Sequence, residues 1–320
     1  MTRTSPSVPG GASAPGTTSA TRLAAGLALV VAILAGISAA CGVFLRGDLA
    51  TIPFTTIRSE LVDMVATGLY RFNSLTVASE GVGWDAVTLF LVVPALLLAV
   101  PGVWRGRLRS RLLAAGLLVY FLYQGLEYVM FLAFGPLFPV YVATFAVAGS
   151  ALVVLGSTFD LEALAAAVDK TRFPRRAVAG LGVFMALLLA GMWLPMVLKN
   201  LTATTVGPLD GATTLVVQAL DLGFLVPLGI FTAVLVWRRS PVGYLLASVV
   251  VVKAVAMALA IVSMLVVEAA ETGELAAPPI VLFALTALAA AAIGWRVFAS
   301  VHAAPEPGIV PIATARPAAA

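Results

Sequence analysis

Val119-Tyr-Phe-Leu-Tyr-Gln-Gly-Leu-Glu-Tyr-Val-Met-Phe-Leu-Ala-Phe134 is the stretch on which the reading of this chain turns. It lies inside an apolar run from Leu112 to Phe134, long enough at about 1.5 Å per residue to cross a hydrocarbon core of about 30 Å. Glu127 stands about two-thirds of the way across. At helical spacing Tyr120, Gln124, Glu127 and Tyr128 share one stripe, with Tyr123 at its edge. A charge at that depth costs roughly 2.5–3.5 kcal/mol on insertion scales, so it faces protein or water rather than lipid. The stripe is therefore a candidate polar site inside a membrane helix.

The rest of the chain has the composition of membrane spans. It is 61% hydrophobic and 11% charged, with a mean hydropathy of +1.07. Eight apolar runs are expected to cross: Leu23–Leu45, Ala86–Trp104, Leu112–Phe134, Val140–Thr158, Ala177–Leu198, Thr213–Trp237, Val242–Val267 and Ile280–Phe298. The expected fold is an all-α polytopic bundle in one domain, residues 22–300. Residues 1–21 and 301–320, rich in Pro, Ala, Ser and Thr, read as disordered cytosolic tails. In the long loop 46–85, Ile57, Leu61, Met64, Val65 and Leu69 recur at helical spacing opposite Arg58, Glu60, Asp63 and Arg71. That pattern predicts an amphipathic surface helix. Leu161–Val168, bounded by acids, reads as a connector helix.

Basic residues set the orientation. With the N-terminus inside, fourteen Lys and Arg fall in cytosolic segments, among them Arg105, Arg107, Arg109, Arg111, Lys170, Arg172, Arg238 and Arg239. Only Arg46, Arg58, Arg71 and Lys199 fall outside, which predicts both termini in the cytosol of a cell-membrane protein. The net charge of +4 belongs to these loops, and no basic patch interleaved with aromatics points to nucleic acid. One histidine (His302) and one cysteine (Cys41) exclude an intrachain bis-histidine haem, a His/Cys zinc site and an intrachain disulfide, and no cofactor is expected. Ile37-Ser-Ala-Ala-Cys41 departs from a lipoprotein cleavage box at Ser38 and sits within an apolar run, so Cys41 reads as a packing residue.

Two further charges lie within spans. Asp221 is about 12 Å below the outer end of the sixth, on a stripe with Thr214 and Gln218, and Lys253 is near the middle of the seventh. Counted from the basic turns, the separation from Arg111 to Glu127 is close to that from Arg239 to Lys253, which sets the two charges at similar depth. The second and sixth spans also share an order: Asp85, Pro94, Val103-Trp104-Arg105 against Asp221, Pro227, Val236-Trp237-Arg238. The pattern suggests two parallel four-helix halves, although the Asp-to-Arg spacing is longer in the second span than in the sixth. Prolines near buried carboxylates interrupt helical hydrogen bonding, as in the cavities of transporters. The candidate site is thus Tyr120, Tyr123, Gln124, Glu127, Tyr128, Gln218, Asp221 and Lys253, with Asp85 in a secondary place.

Asp85 with Pro94, Arg105-Gly106, Tyr120 with Leu122-Tyr123, Leu137-Phe138, Tyr141-Val142-Ala143, Leu220-Asp221 with Pro227, and Gly243-Tyr244 with Lys253 carry a resemblance. At these residues the chain resembles a family of uncharacterised bacterial multi-spanning membrane proteins. The resemblance implies the architecture and transfers no activity. The residues themselves suggest a permease-like protein handling a small molecule or proton; a lipid-modifying enzyme and a non-catalytic sensor or partner subunit are the alternatives. The lipid bilayer is the one partner the composition requires, and oligomeric state stays open.

Overall fold

Helix formation follows from burial in an apolar solvent, where every backbone N–H and C=O must be satisfied within its own segment. The computed structural model describes residues 19–202 and 209–302. Among the described residues, eight helices are long and apolar enough to span a membrane: α1 (Ser19–Phe44), α2 (Leu75–Trp104), α3 (Leu108–Phe131), α4 (Phe138–Ser157), α6 (Arg175–Thr202), α7 (Val216–Trp237), α8 (Pro241–Thr272) and α9 (Ala277–Ser300). A short connector, α5 (Leu161–Ala167), starts at Asp160, whose carboxylate accepts from the Ala163 N–H at 3.0 Å. The protein is an all-α multi-pass membrane bundle.

α1 packs on α2 and α4, and α3 packs on α4 and α2, so the first four spans close on one another. α8 packs against α2, α3 and α9, while α6 lies mainly along α7. α3 is the most enclosed span, 78% buried over its most apolar window, which explains how it tolerates polar side chains.

The loop expectation is overturned. The segment read as an amphipathic helix forms an antiparallel hairpin, β1 (Thr51–Thr55) with β2 (Leu61–Val65), in the register Thr51↔Val65 to Thr55↔Leu61. Val62 and Val65 turn inward while Leu61 and Ile57 are exposed, so the apolar residues do not share one helical face. Ser59, at a positive φ of 61°, turns the chain between the strands. α2 also starts three turns before the expected Ala86, at Leu75, because Ser74 caps it by accepting from the Val77 N–H at 3.1 Å. Asp85 is consequently well inside the helix and not at its edge.

Of the expected tails, 1–18 and 303–320 lie outside the described residues. Ser19, Ala20 and Thr21 already belong to α1. Val301 bridges Val168, and the His302 N–H donates to the Ala167 carbonyl at 2.9 Å, so the chain remains tied to α5 past Ser300.

α2 and α7 each contain a short π turn, Thr88–Val92 and Asp221–Leu225, followed by Val-Pro. In each the amide after the turn bonds back to its first carbonyl, Val93 to Thr88 and Val226 to Asp221. The turn thus re-routes bonding just ahead of Pro94 and Pro227, which have no N–H to give. A single offset along the sequence aligns Thr88 with Asp221, Pro94 with Pro227 and Trp104 with Trp237. It also aligns the left-handed residues Gly106 and Arg239, and the extended helix caps Arg107 and Ser240. The counterpart of Asp221 is therefore Thr88, almost one turn on from the expected Asp85. Measured from those caps, Lys253 and Tyr120 stand equally far into their helices, whereas Glu127 stands two turns deeper than Tyr120. Glu127 lies about 10 Å farther along the bundle than the level of the Lys253 backbone, which corrects the similar depth read from the basic turns.

Candidate functional site

The polar side chains of α2, α3, α7 and α8 meet in the bundle interior. Asp85, Glu127, Asp221 and Lys253 are 1%, 5%, 5% and 4% exposed, so none of them faces lipid. Tyr123 is the hub. Its hydroxyl donates to Asp221 Oδ1 at 2.6 Å, and the ammonium of Lys253 lies 3.9 Å from its ring centroid. The ring is also 6.2 Å from that of Trp84, and Glu127 stands one helical turn along the same helix. The second oxygen of Asp221 accepts from the Trp193 indole of α6 at 2.8 Å.

Lys253 Nζ, Glu127 Oε2 and Trp84 Nε1 are buried without a hydrogen-bond partner among the described residues. Among the described residues, Arg46 pairs with Glu271 at 2.9 Å and Arg172 with Asp169 at 3.4 Å, whereas Lys253 has no carboxylate within ion-pairing reach. Its positive charge is met by the Tyr123 ring. Three unpartnered polar groups around one tyrosine give the interior both a donor surface, from the ammonium and the indole, and an acceptor surface, from the carboxylate.

Two neutral or closed arrangements flank this cluster. Tyr120 bonds Thr88 at 2.8 Å, and the Gln124 amide donates to the same Thr88 hydroxyl at 3.0 Å. By the offset that aligns the two prolines, Thr88 with Tyr120 occupies the places that Asp221 and Lys253 hold in the second half. Asp85 accepts from the hydroxyl of Tyr70, which reaches in from the loop, and from Tyr128 at 3.1 Å. Asp85 is thus fully partnered apart from Glu127 and Lys253. Gln218 does not join the site: its amide reaches the Met196 sulfur at 3.9 Å.

Sequence reading missed Tyr70, Trp84, Thr88 and Trp193. Aligning Pro94 with Pro227 would have revealed Thr88, and Trp84 adjoins Asp85 in sequence. Tyr70 and Trp193 carry no comparable signal, since one is in a loop and the other among apolar residues of α6. Among the described residues no group of three or more His, Cys, Asp or Glu is placed to hold a metal ion.

Fold and site define an integral membrane protein with eight apolar spans and a charged interior. No family model matches the chain, and neither a curated protein nor a solved structure matches it.

Proposed function

We propose that the protein is a permease-like carrier of the cell membrane, with both termini cytosolic, that moves a small solute coupled to protons through the site between α3, α7 and α8. The observation that carries this reading is the pair of unpartnered buried groups, Lys253 Nζ and Glu127 Oε2. A charge held out of water without a partner costs several kcal/mol, a cost that a purely structural interior avoids by pairing or by apolar replacement. A substrate anion at Lys253 and a proton at Glu127 satisfy both groups during a cycle. The π turn at Asp221 adds support, because interrupted helices beside midplane charges form substrate cavities in transporters. The fourteen-to-four bias of basic residues supports the orientation.

The test is electrophysiology of proteoliposomes on a solid-supported membrane, challenged with a panel of small anions and zwitterions at two pH values. A solute-evoked current that Lys253→Met and Glu127→Gln each abolish, in protein that still unfolds cooperatively, is the expected result. Absence of any evoked current across the panel, or currents unaffected by both changes, counts against transport and favours a lipid-modifying or partner-dependent role.

A further inference from the structure

A close backbone approach between α2 and α8 leads to a second set of carboxyls. A Cβ on Gly83 would lie 2.5 Å from Met264 Cα and 2.6 Å from the Ser263 carbonyl oxygen, so the two helices touch through this glycine. They run antiparallel, which places Glu80, just before Gly83, level with Glu268, one turn beyond Met264. Both lie on the side of the crossing toward the β-hairpin, and both are half-buried. Thr76, one turn before Glu80, also faces Glu268.

Counted from the caps shared by the two helical hairpins, the carboxyls form a graded series. Glu268 is farthest from those caps, followed by Glu80, then Glu127, and Asp221 is nearest. Glu268 and Glu80 stand nearly level, and each of the two later steps is about 4 to 8 Å along the bundle axis, roughly one to one and a half helical turns. Burial deepens in the same order, from half-buried at Glu268 and Glu80 to 5% exposed at Glu127 and Asp221. Between the last two stands Tyr123, whose hydroxyl is already bonded to Asp221. The unpartnered Glu127 Oε2 and Trp84 Nε1 mark the middle of the path.

The charged groups facing this path are mostly acids. Glu80 faces Glu268 and Asp210; Glu268 faces Asp210 and Glu274; Glu127 faces Glu80, Asp221 and Lys253. Arg46, a cation at the hairpin end, is engaged with Glu271. Lys253 is the cation facing the inner carboxyls, Glu127 and Asp221.

Resting on the permease reading, we propose that Glu268 and Glu80 are the outer leg of a proton relay that delivers protons from the hairpin end of the bundle to Glu127. A proton from bulk water binds a Glu268 oxygen. Each later step breaks an O–H bond on one carboxyl and forms one on the next, leaving the donor carboxylate free to be recharged. Glu80 and Glu268 act on Glu127 and touch no solute, so they are positioning and conducting residues.

The test needs no substrate. In vesicles with the hairpin end outward, the outside is acidified rapidly while the carboxylic C=O stretch is followed by infrared difference spectroscopy. The band lost in Glu127→Gln belongs to Glu127. In Glu80→Gln and in Glu268→Gln that band is expected to rise at least about ten-fold more slowly but to reach its full amplitude, which a folding defect would not produce. Glu80→Asp, which keeps the carboxyl, restores the rate, and Glu274→Gln leaves it unchanged. Unaltered kinetics in Glu80→Gln and Glu268→Gln overturn the relay, as does the lack of any Glu127 band responding to acid. A working relay without a solute-evoked current leaves the relay standing and removes only the permease reading.

Discussion

Tyr123 holds Asp221 by a hydrogen bond and Lys253 by its ring face, so its two functions are separable by substitution. Tyr123→Phe keeps the ring and deletes the donor, and a hydrogen bond to a charged group contributes about 1.5–3 kcal/mol. Lys253→Met breaks no ion pair and relieves a desolvated charge, so it is expected to destabilise less than Tyr123→Phe in thermal unfolding in detergent. Strong destabilisation by Lys253→Met and by Glu127→Gln, relieved when the two are combined, would instead identify a structural pair. Outside the spans, Asp210 has its carboxyl held above the ordinary carboxylate value by burial and then by the nearby charge of Glu60. Glu60 is anchored there because its Oε1 accepts from the Leu209 and Asp210 amides at 3.0 and 3.1 Å. The folded protein binds the Asp210 proton more tightly than the unfolded chain does, so stability falls as pH rises from the ordinary value through the raised one. Asp210→Asn suits the φ of 52°. Because solvent screens this site, the change should stabilise the protein at neutral pH by under about 1 kcal/mol and do nothing in strong acid. Equal unfolding midpoints for the two proteins at all pH values would remove Glu60 and burial as the cause.

Among the elements, the α2–α8 crossing is the most demanding. Gly83→Ala places a methyl group against the Met264 backbone, which cannot swing aside, and overpacking of this kind costs about 1–3 kcal/mol. Gly180→Ala in α6, where nothing lies within 4 Å, is the control and should be neutral or slightly stabilising in the same unfolding measurement. The eight spans were legible in the sequence because length and hydropathy alone specify a crossing helix, and all eight expected runs overlap an observed one. The hairpin was not legible. Leu61, Met64 and Val65 satisfy a helical period, but the same segment also satisfies a strand, and pairing to Thr51–Thr55 is a non-local decision. The start of α2 was hidden for a different reason: Ser79, Glu80, Asp85 and the glycines Gly81 and Gly83 dilute the hydropathy of its first three turns. Glu127, Asp221 and Lys253 were legible as charges out of place. Their neighbours Trp84 and Trp193 look like ordinary apolar residues until packing brings them to a carboxylate or a tyrosine.

At the scale of the whole molecule, orientation is the first property to test. Reporter fusions at Thr67, Arg107 and the C-terminus should read outside, inside, inside, and a cytosolic signal at Thr67 would reverse the assignment of the β-hairpin end. A second property follows from the way α1 to α4 close on one another before α5 begins. Those four helices are synthesised ahead of the later ones and bury much of one another's surface, leaving the faces of α2 and α3 that α8 then covers. The α5 end of the link to α6 is held by Val168 against Val301 and by the Asp169 N–H to the Ser300 carbonyl at 2.8 Å, rather than by covalent continuity alone. A gene cut between the codons for Lys170 and Thr171 should therefore yield two polypeptides that find each other in the bilayer, co-purify, and reassemble around Tyr123 and Asp221 as the intact chain does.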